Sequence, residues 1–133
     1  MSSDQAQTEA SRMLVKTMYE SSLSGNTQVF LNCLDENLVV LEPSFLPYGG
    51  RYAGLAGFRA LFGEVAKYLD LASVKLLSLV ADGDVVVAFL SVKTVKDGSE
   101  LQLAERSLIR NGKVVEMKVM CHDLGSLISD IKR

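Results

Sequence analysis

The sequence predicts an α+β fold, and three observations carry the prediction. Apolar residues recur at three- and four-residue steps through the first half of the chain. In the second half the period drops to two. The apolar runs there are punctuated by Asp82-Gly83, Asp97-Gly98 and Asn111-Gly112, dipeptides that favour hairpin turns. Helices first and hairpins second is the α+β order. The chain has 133 residues, 48% of them hydrophobic, which fits one domain over 1–133 with its own core and no disulfide scaffold.

The elements follow in order. Residues 1–7 are polar and expected to be frayed, and Thr8 to Leu23 reads as a helix. Its apolar face is Ala10, Met13, Leu14, Thr17, Met18 and Ser21, broadened by Val15 and Tyr19. Ser24-Gly25 stops it, with Gly25 suited to the left-handed position after a helix. Asn26 or Thr27 can cap a short second helix, where Val29-Phe30 and Cys33-Leu34 lie four residues apart. Asp35-Glu36-Asn37 reads as a turn, Leu38 to Glu42 as a buried strand, and Pro43 to Gly54 as a loop. Leu55, Phe58, Leu61, Phe62, Val65, Ala66 and Leu69 define a third helix. "ASVKLLSLVA", "VVVAFLSVKTV", "LQLAERSLIR" and "KVVEMKVMC" are then four strands of an antiparallel meander, with Asn111-Gly112 a two-residue turn. Leu124 to Ile131 can add a C-terminal helix or an ordered tail.

Composition removes several classes of function. The formal net charge is −2 with no basic cluster, which disfavours nucleic-acid binding. No apolar run approaches a bilayer span, and "MSSDQAQTEASR" lacks the apolar core of a secretory signal, so a cytoplasmic protein is expected. Cys33 and Cys121 lie far apart and read as two reduced thiols. The single histidine, His122, assembles no zinc site, so no metal is expected. Gly49-Gly50 is followed by no lysine-serine pair and is not a phosphate loop.

A curved sheet wrapped on one side by helices buries all these apolar faces and leaves a cavity between them. Strand alternation says which side chains look inward. Leu101, Leu103, Glu105, Ser107 and Ile109 share one face, as do Val115, Met117, Val119 and Cys121, and as do Leu38, Val40 and Glu42. Two glutamates thus reach inward from separate strands. An apolar site disfavours a carboxylate's charged form and raises its pKa, which suits a general acid or base. The alternatives are a glutamate solvated at the cavity mouth, or one paired with Arg51 or Arg106. The stretch "LEPSFLPYGGRYAGLAGF" carries the chain's only two prolines and crosses from the strand to the third helix. Tyr48 and Tyr52 within it either close the cavity mouth or pack the loop.

The element order, the "GN" break after the first helix, the strand ending in "EP", "PYGGRYAG" before a helix and the closing "MCHD" resemble the NTF2-like superfamily. Within it the chain is similar to SnoaL-like and ketosteroid-isomerase-like proteins, from about Thr8 to Asp123. The resemblance implies a half-cone: a curved, mostly antiparallel sheet wrapped by three N-terminal helices around a central pocket. It also implies a homodimer through the outer sheet face, where Ala104, Leu108 and Met120 mix with Gln102, Arg106 and Glu116. Such isomerases carry an acid before proline as general base, which Glu42-Pro43 matches. Their second acid, on a late strand, has its counterpart in Glu105. The place of their helix tyrosine falls by count on Met18, one residue before Tyr19.

The catalytic candidates are therefore Glu42, Glu105 and Tyr19. The ligand-binding candidates are Met18, Tyr48, Tyr52, Phe58, Phe62, Met117, Val119, Cys121 and Asp123. A limonene-epoxide-hydrolase-like site would draw on Glu42, Arg51 and Glu105, whereas a scytalone-dehydratase-like site needs more than one histidine. His122 reads as a surface or interface imidazole. The resemblance implies no cofactor and two functions. One is acid/base catalysis, isomerase- or cyclase-like, on a hydrophobic carbonyl compound. The other is non-catalytic ligand binding or dimerisation.

Overall fold

The computed structural model describes residues 3–121. Helix α1 runs Ser3–Leu23, so it starts about a turn earlier than the sequence pattern suggests and takes in residues expected to fray. Its buried residues are Ser11, Val15, Met18, Tyr19 and Ser21, while Met13 is half exposed. The stripe through 11, 15, 18 and 19 faces the sheet. Ala10, Met13 and Thr17 instead line an open cleft beside Asn111 and Gly112. Two bonds tie α1 to the meander: the Gly83 amide donates to Thr8 Oγ1 at 2.8 Å, and Arg12 Nη1 donates to the Leu79 carbonyl at 2.9 Å. At the C-terminus the Asn26 amide reaches back to the Ser21 carbonyl at 2.8 Å, and Gly25 sits at φ +80°. Asn26 then caps α2, Thr27–Asn32, by accepting from the Val29 amide.

Strand β1 is Leu34–Glu42, longer than expected. Asp35-Glu36-Asn37 is not a turn but an irregular part of this strand. The Asn37 amide donates to Asp35 Oδ1 at 2.8 Å, and the register shifts between Leu34 and Val39. The local bond takes these residues out of the ladder without reversing the chain. The expected loop also contains a strand, β2, Gly50–Ala53, which pairs antiparallel with β1 from Glu42↔Gly50 to Val39↔Ala53. Its tight approach needs glycine at 49: a Cβ there would lie 2.3 Å from the Pro43 carbonyl oxygen.

Helix α3 is Gly54–Val65. It ends before Leu69, which opens β3, Leu69–Asp82. The meander continues with β4, Val85–Thr94, β5, Glu100–Arg110, and β6, Lys113–Cys121. Arg110 faces Lys113 across Asn111-Gly112, both at positive φ (51° and 72°), as a two-residue hairpin turn requires. The six strands form one curved, unclosed sheet in the order β2-β1-β6-β5-β4-β3. Among the described residues only the β1–β6 pairing is parallel.

The helices cover one face of this sheet. Val15, Met18, Leu38, Val40, Leu61, Val86, Val92, Leu101 and Val114 form the core between them. Val115 was expected inward, but a register shift between Leu108↔Glu116 and Ile109↔Val114 leaves it without a cross-strand partner. Val114, fully buried, takes the inner face in its place. Among the described residues no helix is long and apolar enough to cross a membrane.

Candidate active site

A cavity of about 420 Å³ lies between the inner face of the sheet and the three helices. Alternation along β1 turns Leu38, Val40 and Glu42 inward, and Glu42, at the strand's end, reaches the cavity. Alternation along β5 does the same for Leu103 and Glu105. Helix α1 brings Met18 and Tyr19, the loop before β2 brings Tyr48, α3 brings Phe58 and Phe62, and β6 brings Met117 and Val119.

Two expected residues among those described stand apart from this lining. Tyr52 packs against the core and donates its hydroxyl to the Tyr48 carbonyl at 2.9 Å, so it supports the loop rather than facing the cavity. Cys121 does not line the cavity but lies in the field of both glutamates. Burial first, then Glu42 and Glu105, push its thiol up to about 11. Asp123 and His122 lie outside the described residues, as does the segment Leu124 to Ile131. Arg51 is exposed on β2 and Arg106 pairs with Glu116 at 2.7 Å, so neither is among the cavity's lining residues. The Glu-Arg-Glu arrangement of the hydrolase-like alternative is therefore not assembled around the cavity.

The polar groups have distinct environments. Tyr19 Oη donates to Glu105 Oε1 at 2.5 Å. Burial raises the Glu105 pKa and the Tyr19 bond opposes that rise. Tyr19 is itself held well above its ordinary value, by burial and then by the Glu105 charge. Glu42 differs: its Oε1 is buried and has no hydrogen-bond partner among the described residues. Burial, reinforced by Glu105, pushes the Glu42 carboxyl up to about 8. Tyr48 is also raised, by burial and then by Glu42, Cys121 and Glu105. One acid is thus poised near neutrality, and beside it a tyrosine–carboxyl pair holds a proton.

The walls are apolar. Phe30 and Phe58 have ring centroids 5.7 Å apart, as do Phe58 and Phe62. Phe30, Leu103, Leu90 and Val92 line the cavity without having been named as site residues. Leu103 shares Glu105's face and Phe30 lies on the apolar side of α2, so period alone could have found both. Among the described residues no group of three or more His, Cys, Asp or Glu is placed to hold a metal ion.

The Tyr19–Glu105 bond has a measurable consequence. Tyr19→Phe keeps the ring and removes the donor, leaving a buried carboxyl unpartnered. A loss of about 1–3 kcal/mol in urea unfolding at pH 7 is expected. Stability equal to wild type would show that Glu105 finds another donor at no cost.

A family model described as the SnoaL-like domain matches residues 15–117. Solved structures share the fold at low identity. Bal32a, from a soil-derived mobile gene cassette, is 19% identical with a TM-score of 0.77, covering 96% of this chain and 99% of its own. An NTF2-like protein from Burkholderia xenovorans is 16% identical with a TM-score of 0.73, covering 95% and 98%. TerC, co-crystallised with polyporic acid, is 18% identical with a TM-score of 0.74, covering 93% and 99%. A search of curated protein sequences found no match.

Proposed function

This chain belongs to the SnoaL-like domain family, and on that premise we propose that its cavity binds a small hydrophobic carbonyl compound and moves a proton on the carbon beside the carbonyl. Glu42 is the base. It takes the α-proton, and the electron pair of the broken C–H bond passes to the carbonyl oxygen as an enolate. Glu105 in its protonated form, oriented by Tyr19, donates a hydrogen bond to that oxygen. Return of the proton from Glu42 to a different carbon of a conjugated enolate, as the carbonyl re-forms, completes an isomerisation. Attack of the enolate carbon on a second carbonyl of the same molecule, whose oxygen then takes the proton from Glu42 as the first carbonyl re-forms, completes a cyclisation. No cofactor enters either step.

The observation that supports this reading is the placement of Glu42. It puts a carboxyl titrating near 8, one oxygen of which has no partner among the described residues, in the same apolar cavity as a hydrogen-bonded acid pair. A general base works best when its pKa lies near the working pH, and a protonated acid stabilises charge that develops on oxygen. The cavity is of the size that small-molecule ligands occupy. TerC, which shares the fold, was co-crystallised with a small molecule.

The test is proton NMR in D2O at pH 8.5, with cyclic ketones and β,γ-unsaturated ketones as probes. The expected result is α-deuteration or double-bond migration above the buffer rate. Probes that bind without exchange would leave the domain as a binding module.

A second face bears on assembly. Val80, Phe89 and Met120 are exposed on the outer side of the sheet, with Phe89 opposite Ala104 and Ala104 opposite Met120. The reading is a homodimer packed sheet against sheet. Light scattering at micromolar concentration should give a dimer for wild type and a monomer for Phe89→Lys. A monomeric wild type would remove the reading. The two free cysteines fit a reducing, cytoplasmic setting.

A further inference from the structure

We propose that the cavity prefers a protonated amine on an apolar body, its ammonium group held by Glu42, over the neutral or anionic ligand of the same shape. The proposal rests on the reading of the cavity as a ligand pocket, not on the proton transfer.

The argument starts from what surrounds Glu42. The loop before β2 presents Tyr48, β5 presents Glu105, β6 presents Cys121, and α1 presents Tyr19 through its bond to Glu105. Every one of these groups is an acid. Among the described residues lining the cavity there is no lysine, arginine or histidine. Three cations on the surrounding elements are engaged elsewhere. Arg106 holds Glu116, Lys113 donates to the Asn32 carbonyl, and Arg12 donates to the Leu79 carbonyl and pairs with Glu9. A buried carboxylate without a positive neighbour is unfavourable, and the described residues lining the cavity supply none.

The two glutamates are not equivalent. Glu105 has the Tyr19 hydroxyl on one oxygen, whereas Glu42 Oε1 is buried and accepts no hydrogen bond from the described residues. Glu42 is therefore the open acceptor. An ammonium group brings both the missing donor and the missing charge. A hydroxyl brings only the donor, and a carboxylate sets a second negative charge beside Glu42. The rest of the cavity, with Phe58 packed against both Phe30 and Phe62, suits an apolar or aromatic body.

The test is calorimetric titration of the wild-type chain with 4-phenylbutylamine, 4-phenylbutan-1-ol and 4-phenylbutanoate, which share a body and differ in the head. At pH 8.5 the amine should bind roughly tenfold more tightly than the alcohol, and the acid should bind weakest. Lowering the pH to 6 should weaken the amine by about tenfold per unit below about 8, because Glu42 must first release its proton, and should leave the alcohol unchanged. This arm needs no substitution. In Glu42→Gln the amine and the alcohol should bind equally.

An alcohol as tight as the amine at pH 8.5, or an amine advantage that survives Glu42→Gln, would overturn the proposal and leave the pocket reading intact. Failure of all three probes to bind would overturn both. The presence or absence of α-deuteration in ketone probes is read separately and decides neither.

Discussion

Glu42→Gln should slow α-proton exchange in a bound ketone by roughly 10²- to 10⁴-fold, the usual contribution of a positioned general base. Glutamine keeps the shape of the side chain and cannot accept the proton. Binding of the ketone should survive, so the loss should fall on kcat rather than on KM. Glu42→Asp keeps the acid but withdraws it by one methylene, and should fall between the two. The pH profile gives a second reading of the same residue. With Glu42 titrating near 8, kcat/KM should rise with pH through that value and level off above it. Tyr19, held well above its ordinary value, keeps its proton throughout this range. A flat profile between pH 6 and 9, or an unchanged rate in Glu42→Gln, would move the base to another residue.

Much of this arrangement was legible in the sequence, and the misses have physical causes. Period-two alternation placed Glu42 and Glu105 inward because each lies on a regular stretch of strand. It failed at Val115, where an irregularity in the β5–β6 pairing turns Val114 inward. A slip of one residue in a strand exchanges its faces, and nothing in "KVVEMKVMC" marks where the slip occurs. Strand β2 was hidden because prolines and glycines signal turns, and a four-residue pairing beyond those turns is too short to show a period. Asp35 to Asn37 looked like a turn because their side chains bond locally, which they do while the strand continues.

Helix α1 is the instructive case. Counting by family resemblance set Met18 at the tyrosine's place, one residue from Tyr19. The cavity wraps enough of the helix for both to reach it, and Tyr19 makes the bond to Glu105. A count along a chain is good to a residue or two, and on a helix one residue is a rotation of about 100°.

The same burial that readies Glu42 for proton transfer should make the fold less stable as the pH rises. Glu42 titrates near 8 in the folded chain and near its ordinary value of 4.5 when unfolded. Between these values the folded chain holds a proton that the unfolded chain has released. Stability is then fully present below about 4.5 and is lost as pH climbs through about 8. Each pH unit in that window costs about 1.4 kcal/mol, giving a ceiling of about 5 kcal/mol for Glu42 alone. Glu105 is raised by burial too and works in the same direction. Against a total stability of about 5–15 kcal/mol this is a large share. Glu42→Gln resembles the protonated acid at every pH. Urea unfolding should therefore find the variant close to wild type at pH 5 and several kcal/mol more stable at pH 9. Parallel curves for the two proteins from pH 5 to 9 would mean that Glu42 is solvated when ionised, and a solvated Glu42 would lose its claim to be the base. A ligand that supplies positive charge or hydrogen bonds to ionised Glu42 should recover part of the loss, because it binds only the folded chain. The instability at high pH and the proton-transfer chemistry then have one origin: a buried carboxyl with no cation beside it among the described cavity residues.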